Sequence, residues 1–453
     1  MPRDRSIRST PPRRAALAVS LAAAMPLLAW PGGLHAQAAD PYVPTLGTVH
    51  PIDGIDPTGD DDADLEPLIE AIGDARVVVL GEATHSDGAV TAAKARVARF
   101  LHERMGFDVL AWESGFLQSH AMNEALRDPD VPLEQAAAYL MAGGWASEVW
   151  TRPLFEHARD SWRGYRPLIM AGFDTGRPHR AEPYFRRYLR QVVARAPWLL
   201  TDSLQLGLVD SLAVRGFGFL TSEVTPDSVR APQREATDAL LRAVRTRRDS
   251  LRAVLSDREI AFLEQTLQHA LTSEDLKEAR GVERAYGRDR AMAETLRWLL
   301  RELYPDRKVI VWAATAHFIR NSHLIRNVED STMYDIPYQA GDHLAPFLGD
   351  DLYTIAFTTY AGEIGHIFPA KAQFDSRVTV LEPAPSGSLE GRLHALGHAA
   401  AFVDLRSARR KPEAPGGTFE ALVLGRYRNV APWNEVLDAA FFIDESAPVR
   451  YHE

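Results

Sequence analysis

Short, unbroken apolar runs recur along this chain and alternate with stretches of helical periodicity. The first three are residues 76–80 (RVVVL), 107–112 (FDVLAW) and 167–173 (PLIMAGF). Two more follow at residues 308–313 (KVIVWA) and 352–358 (LYTIAFT). Runs of this length, rich in Val, Ile and Leu, are typical of strands that are covered on both faces of a parallel sheet. The pattern therefore predicts five buried strands.

The stretches between these runs predict helices. Over residues 89–104, apolar side chains such as Val90, Val97 and Leu101 recur at the spacing of a buried helix face, and Gly106 follows as a helix stop. Strands that alternate with helices favour right-handed crossovers and parallel pairing. We therefore predict an α/β fold with a mostly parallel sheet flanked by helices.

One long segment departs from the alternation. Residues 182–280 show helical periodicity and almost no strand signal, which predicts an inserted all-helical subdomain. The flanking segments, residues 40–181 and 281–453, are expected to form one α/β hydrolase-like catalytic domain. Within it, residues 40–65 are rich in Pro, Asp and Gly and predict a surface lead-in, and residues 439–444 (AAFFID) are a further strand candidate.

The N-terminus carries the pattern of a targeting segment. Five arginines precede an apolar stretch, residues 15–30, that Pro26 interrupts, and the small residues of Ala36-Gln37-Ala38-Ala39 follow. The apolar stretch is too short for a comfortable membrane span. We expect a signal peptide over residues 1–38, no stable membrane span after its cleavage, and a periplasmic or secreted protein.

Charge and cysteine content narrow the classes of function. The chain carries a net charge of −10, and removing residues 1–38, with five Arg and one Asp, leaves −14. Such an acidic protein is not expected to bind nucleic acid, which needs a clustered basic face. The absence of cysteine excludes disulfides, thiolate metal ligands and a cysteine nucleophile.

Ionisable residues follow the buried runs at the points where the predicted strands end. Glu82 and His85 follow the first, Glu113 the second, Asp174 the third and His317 the fourth. In open parallel sheets, ligands bind at the carboxyl edge, where the strands end and loops begin. We therefore expect these five side chains to converge on one rim.

Each of these residues also has a structural interpretation. Glu82 can cap the following helix or pair with an arginine, and Glu113 can form a structural salt bridge, because a lone buried carboxylate is costly. Asp174 can be a helix N-cap or a loop anchor. The two histidines can be ordinary loop residues.

Two histidines and a glutamate on one rim suit general acid–base hydrolysis of an acyl group. A nucleophilic serine is not expected, because the chain contains no G-x-S-x-G elbow and the residues that flank Ser114 do not match one. His85, His317, Glu82 and Glu113 are also competent metal ligands, which leaves a metal-dependent hydrolase as an alternative. The zinc-protease helix motif is absent, and we expect neither a metal nor another cofactor.

The chain resembles the erythromycin esterase family over nearly all of residues 70–450. Residues 77–116 look like the family signature, which is a strand, G-E-x-T-H, a helix with Lys and Arg, and a second strand ending in Glu. Further matches follow in order along the chain, at residues 171–174 (AGFD), 288–298 (RDRAMAETLRW), 311–317 (VWAATAH), 388–390 (SLE) and 438–448 (DAAFFIDESAP).

The resemblance implies hydrolysis of an ester, in the named members a macrolide lactone, by a His-activated water without a covalent intermediate. It implies that His85 is the general base, Glu113 its carboxylate partner and His317 a second catalytic histidine. Four more positions match family residues that line or brace the cleft, namely Lys94, Arg96, Arg288 and Asp289. The implied partner is a small-molecule ester or lactone.

The chain departs from the family pattern at the fourth strand. The family reads W-A-H-N-x-H where this chain has Ala314 and Thr315 in place of the first His and the Asn. Ser86 and Thr295 are two further departures. The missing histidine leaves open a binding protein without catalysis, for haem or another small molecule, on the same fold.

Overall fold

The computed structural model describes residues 46–140, 145, 148–174, 182–200, 203–216, 226–279, 281–329, 331, 333–334, 336–365, 378–409 and 417–450. The predicted signal peptide, residues 1–38, lies outside them. No helix among these residues combines the length and the apolarity that a membrane crossing requires.

The described part of the chain contains twelve strands. They are β1 (Thr48–Ile52), β2 (Val77–Glu82), β3 (Phe107–Gly115), β4 (Ile169–Asp174), β5 (Lys308–Ala314), β6 (Arg326–Asn327), β7 (Leu352–Ile364), β8 (Thr379–Leu381), β9 (Ala400–Asp404), β10 (Phe419–Ala421), β11 (Asn429–Ala431) and β12 (Ala439–Ser446).

The main sheet has the strand order β1-β9-β12-β7-β2-β5-β3-β4. The six strands from β12 to β4 run parallel to one another. At one side of the sheet, β9 pairs antiparallel with both β12 and the edge strand β1, and the short β8 pairs antiparallel with β7. Strands β6, β10 and β11 form a separate small sheet. The mostly parallel sheet predicted from the buried runs is therefore confirmed.

Helices cover both faces of the sheet. The α-helices are α1 (Pro67–Ile72), α2 (Gly88–Met105), α3 (Phe116–Arg127), α4 (Leu133–Ala137), α5 (Arg152–Ser161), α6 (Glu182–Arg195), α7 (Ser203–Gly216), α8 (Asp227–Thr246), α9 (Arg248–Arg252), α10 (Asp257–Glu278), α11 (Gly281–Trp298), α12 (Thr315–Phe318), α13 (Ala340–Leu348), α14 (Leu389–His394), α15 (Leu405–Arg409) and α16 (Trp433–Val436). Single turns of 3₁₀-helix lie at residues 63–65, 149–151, 197–199, 322–324 and 349–351, and a π-helical turn at residues 299–303 extends α11.

The helix predicted after the first strand is α2, and Gly106 ends it in the left-handed conformation with φ 77°. Glycine adopts this conformation without the steric penalty of a Cβ atom. At its other end, the Asp87 side chain accepts a hydrogen bond from the backbone N–H of Val90 and caps the helix. Both ends of α2 are thus set by local sequence.

The lead-in predicted over residues 40–65 is only partly a surface segment. Residues 48–52 form β1, which pairs antiparallel with β9 at the edge of the sheet. Edge pairing depends on backbone hydrogen bonds rather than on an apolar side-chain pattern, so no buried apolar run marks this strand.

Alternate residues of the parallel strands enter two different cores. Val77 and Val79 of β2 pack in one cluster with leucines of α8 and α10, whereas Val78 and Leu80 pack in a second with α2. Side chains alternate across a strand, so an unbroken apolar run serves both layers. The helices of segment 182–280 therefore share a hydrophobic core with the sheet, and the proposed domain boundaries stay a prediction.

Candidate active site

Four adjacent strands of the sheet bring ionisable side chains to its carboxyl edge. Glu82 ends β2, Glu113 lies near the end of β3, Asp174 ends β4, and His317 follows β5 in the short helix α12. These strands are neighbours in the order β2-β5-β3-β4 and run parallel, so their ends meet at one rim.

His85 lies in the turn between β2 and α2, beside Glu82. The two side chains are joined by a hydrogen bond of 2.7 Å between Nδ1 of His85 and Oε1 of Glu82. The other carboxylate oxygen of Glu82 forms an ion pair with Lys94, which is buried over the Trp312 ring at 4.2 Å. Because a carboxylate only accepts, Nδ1 carries the proton and Nε2 is left as the base.

Gly81 allows the two histidine-bearing turns to approach each other. A Cβ atom at Gly81 would lie 2.7 Å from the hydroxyl of Thr315 and 2.9 Å from its Cα atom. Only glycine therefore lets the start of α12 pack directly on the end of β2. This gives a physical reason for the glycine that precedes Glu82.

Arg288 of α11 lies at the centre of the second half of the site. It donates to both oxygens of Asp174, at 3.0 and 2.8 Å, and to Oε1 of Glu113 at 2.8 Å. The Asp174 pair is bidentate, a geometry that only a guanidinium provides. The second oxygen of Glu113 accepts from the backbone N–H of Ala314 at 2.8 Å.

His317 is held between two carboxylates and Arg288. Its Nδ1 donates to Asp289 at 2.8 Å, while Nε2 lies 3.4 Å from Oε1 of Glu113 and 2.9 Å from Nη1 of Arg288. The same oxygen of Asp289 accepts from the backbone N–H of Ala340 at 3.1 Å. This network fixes both the position and the orientation of the ring.

The two histidines have opposite protonation tendencies. Burial lowers the pKa of His85 below its usual value, and the charges of His317 and Arg288 lower it further against the opposing charge of Glu113. Burial also acts to lower the pKa of His317, but the carboxylates of Asp289 and Glu113 outweigh it and raise that pKa to about 10. At neutral pH the site therefore holds one neutral and one charged imidazole.

Glu113 is held as a carboxylate at neutral pH. Burial alone would raise its pKa, but the positive charges of His317 and Arg288 bring the pKa well below its usual value. Water still reaches the groups around it. The exposed fraction of the side chain is 14% for His85, 19% for His317 and 18% for Arg288. The two imidazoles thus line a water-accessible site.

The carboxylate that pairs with His85 differs from the expected one. The resemblance implied Glu113, but Glu82 makes the hydrogen bond, because the turn after β2 places residue 85 directly over residue 82. Glu113 instead binds Arg288 and the backbone of Ala314. Its negative charge nevertheless acts on His85, where it opposes the lowering of the pKa by burial.

The other predicted residues divide between the site and its surroundings. Lys94, Asp174, Arg288 and Asp289 all contact members of the site. Arg96 does not, since its hydrogen bonds among the described residues go to Asp62, Asp64 and backbone carbonyls of the lead-in. The Arg96 side chain extends from a different side of α2 than that of Lys94. Arg96 therefore links α2 to the lead-in and not to the site.

Two residues near the site were missed by sequence reasoning. Trp145 lies edge-on to the His85 ring with a centroid distance of 5.1 Å. His269, on α10 in the helical segment, is hydrogen-bonded to the backbone of Asp174. Neither follows a strand, so a search restricted to strand ends does not find them.

The His, Asp and Glu side chains of the site are the donors that a metal ion would need. In the part of the chain that the structure describes, no group of three or more His, Asp or Glu residues has an arrangement that could hold a metal ion. Glu82 is paired with Lys94 and Glu113 with Arg288, so each carboxylate already has a cationic partner.

Comparison with known proteins places this fold and site in a family. The family model described as Erythromycin esterase matches residues 102–439. The chain belongs to the erythromycin esterase family. The resemblance noted in the sequence is thereby confirmed, and the chain is a member of a family of hydrolases.

Among the relatives of this erythromycin esterase family member are a putative hydrolase and an erythromycin esterase. The putative hydrolase YbfO of Bacillus subtilis (strain 168) is 27% identical over 385 residues, which are 79% of this chain and 80% of the relative. Erythromycin esterase type II of Escherichia coli is 23% identical over 385 residues, 79% of this chain and 85% of that protein.

Solved structures share the fold. A Bacillus cereus protein has a TM-score of 0.72 at 17% identity, over 89% of this chain and 97% of that one. A succinoglycan biosynthesis protein has a TM-score of 0.69 at 18% identity, over 89% of this chain and 95% of that one. An erythromycin esterase mutant in its open conformation has a TM-score of 0.63 at 17% identity, over 87% of this chain and 96% of that one. At these identities the likeness establishes the fold alone.

Proposed function

We propose that this protein hydrolyses carboxylic esters or lactones with a water molecule activated by His85, without a covalent intermediate. The observation that carries the proposal is the pair of imidazoles at one rim, one kept neutral and the other charged. Acyl transfer to water needs a base and an acid at the same time, and this arrangement supplies both at neutral pH. A macrolide lactone is one candidate substrate of this class.

His85 acts as the base. As water attacks the acyl carbon, Nε2 of His85 takes a proton from it, and Glu82 stabilises the imidazolium that forms through the hydrogen bond to Nδ1. The other oxygen of Glu82 is paired with Lys94, whose pKa burial holds well below its usual value. The hydroxyl that remains forms the new bond to carbon and leaves a tetrahedral oxyanion.

His317 acts as the acid. Its charged ring, with Arg288 beside it, stabilises the oxyanion, and Nε2 gives its proton to the leaving alkoxide when the carbon–oxygen bond breaks. Nε2 can then accept a hydrogen bond from Nη1 of Arg288, which lies 2.9 Å away. Arg288 is thus the partner of the deprotonated Nε2, whereas the protonated Nε2 faces Oε1 of Glu113 at 3.4 Å.

The location of the protein forms part of the proposal. The basic and then apolar sequence of residues 1–38 supports export through a cleaved signal peptide, which places the enzyme in the periplasm or outside the cell. Removal of residues 1–38, with five Arg and one Asp, changes the net charge of the chain from −10 to −14. This negative charge fits a small-molecule substrate rather than nucleic acid.

A hydrolysis screen tests the function. Macrolides and simple aryl esters are incubated with the wild type and with Glu113→Gln, and hydrolysis is followed by mass spectrometry. We expect turnover of at least one ester and a decrease in kcat/KM of about 100-fold in the variant, because Glu113 no longer supports the charge on His317.

The same screen tests the metal-dependent alternative. Activity that is lost to a chelator and restored by one particular ion would favour that alternative over a purely acid–base site. Tight binding of a small molecule without turnover of any ester would favour a binding protein.

The pH profile of kcat/KM is expected to show a broad plateau. Activity should fall on the acid side as His85 gains a proton, at a pH below the usual histidine value near 6.5, because its pKa is lowered. It should fall on the alkaline side near pH 10, as His317 loses its proton. The profile is measured with an ester whose spontaneous hydrolysis is subtracted. An alkaline limb that survives in His317→Asn would contradict the role of His317.

A further inference from the structure

Three tyrosines form an aromatic cluster beside the charged histidine. Tyr286 lies on α11, and Tyr334 and Tyr338 lie in the loop that leads to α13. The ring centroids of Tyr286 and Tyr338 are 3.9 Å apart with planes inclined by 37°, and Tyr334 meets Tyr338 edge-on at 5.6 Å. We call these three residues the tyrosine wall.

The tyrosine wall is joined to the site on two sides. Tyr286 precedes Asp289 by about one helical turn, so the two side chains lie on the same side of α11. On the loop side, the backbone N–H of Ala340 donates to Asp289, the carboxylate that orients His317. The Gln339 amide, oriented to suit its neighbours, donates to Asp289 at 3.1 Å and accepts from the Tyr338 hydroxyl at 3.3 Å.

The tyrosine wall carries no charge at neutral pH. Burial, followed by the negative charge of Asp289, raises the pKa of Tyr338 to about 12. Asp289 also contributes to the raised pKa of Tyr334, after burial and the neighbouring Tyr338. Both phenols therefore stay neutral, so the wall offers apolar ring surface and hydroxyl groups but no charge.

The wall is open to solvent. All three tyrosines are half-buried, and the same loop exposes Met333 and Ile336, at 37% and 51%. Exposed aromatic and aliphatic surface next to a polar reaction centre is the usual composition of a small-molecule site, in which apolar walls bind and a few polar groups orient.

We propose that the tyrosine wall binds a flat ring in the alcohol portion of the ester. The inference rests on the proposed function, in which His317 gives its proton to the leaving alkoxide. The alcohol portion then lies on the His317 side of the acyl carbon, and the wall adjoins His317 through Asp289. Flat rings pack against tyrosine faces and edges, so esters of ring-bearing alcohols are the preferred class of substrate.

The proposal is tested with two esters that carry the same ring on opposite sides. 2-Naphthyl acetate has its ring on the alcohol, and methyl 2-naphthylacetate has it on the acyl group. We expect Tyr286→Ala and Tyr338→Ala each to decrease kcat/KM about tenfold for the first ester and less than about twofold for the second, because each removes one ring contact. Tyr165→Ala, at a fully exposed tyrosine, is the matched control and should change neither value.

Two further variants separate ring packing from an effect on His317. Tyr338→Phe keeps the ring and loses only the hydroxyl that contacts Gln339, so it should retain nearly the wild-type value for 2-naphthyl acetate. Equal decreases for both esters, accompanied by a shift of the alkaline limb of the pH profile, would instead mean that the wall only positions His317. If kcat/KM for 2-naphthyl acetate decreases in neither alanine variant, the proposal is overturned.

Binding of the product alcohol gives a readout that does not depend on catalysis. 2-Naphthol is titrated into wild type, Tyr286→Ala and Tyr165→Ala, with heat release as the signal. We expect the Kd to increase about tenfold in Tyr286→Ala only. The same Kd in all three proteins, or no binding to the wild type, would contradict the wall. Binding without turnover of either ester would contradict the proposed function while supporting the wall.

Discussion

Replacing His85 by alanine is expected to decrease kcat/KM about 1000-fold while leaving the fold intact. The change removes the proposed general base, which burial keeps neutral and which is hydrogen-bonded to Glu82, and general-base catalysis contributes on this scale. Glu82 keeps its ion pair with Lys94 in the variant, so the free energy of unfolding should change by no more than about 1 kcal/mol. Steady-state kinetics and thermal unfolding measure the two effects.

A matched histidine separates this effect from the general loss of an ion pair. His394 also pairs with a carboxylate, Asp444, at 2.6 Å, but outside the site. His394→Ala should retain full activity. If His85→Ala kept more than about a tenth of the wild-type activity, the base would have to be another group.

Replacing Arg288 by alanine is expected to destabilise the protein by about 3 kcal/mol and to abolish measurable turnover. The guanidinium is the shared partner of Asp174 and Glu113, and removing it leaves two buried carboxylates facing each other. Breaking a buried ion pair costs about 3–5 kcal/mol, and the partial exposure of Arg288 puts the loss at the lower end. Chemical unfolding monitored by circular dichroism gives the stability.

Two comparisons test the origin of that loss. Arg288→Ala combined with Asp174→Asn removes one of the facing charges, so it should recover part of the stability and none of the activity. Arg245→Ala breaks an exposed pair with Glu264 and should cost at most about 1 kcal/mol. If the free energy of unfolding decreases no more in Arg288→Ala than in Arg245→Ala, the ion pairs of Arg288 contribute little to stability.

The sequence predicted the parallel sheet because local pattern and tertiary environment agree there. Residues 77–80 and 309–313 are apolar at every position, and the structure buries them from both faces. The edge strand β1 lacked such a signal, since its pairing with β9 depends on backbone groups.

The candidate site was predictable only in part. The ends of β2 to β5 were found because parallel strands bring their carboxyl ends together. Which carboxylate pairs with which cation was not predictable, because it depends on side-chain directions across strands far apart in sequence. Arg288 shows this most clearly, since it lies 114 residues from Asp174 and 175 from Glu113.

The turn that carries His85 is anchored by the main chain on both sides. The carbonyl of Ser86 accepts from the backbone N–H of Gly365 at 3.0 Å, and the N–H of Gly88 donates to the carbonyl of Ala447 at 2.6 Å. The proposed general base, His85, therefore lies in a turn that backbone hydrogen bonds hold on both sides. Directed evolution toward other substrates should accordingly leave this turn unchanged and find its gains in the loop of residues 333–339.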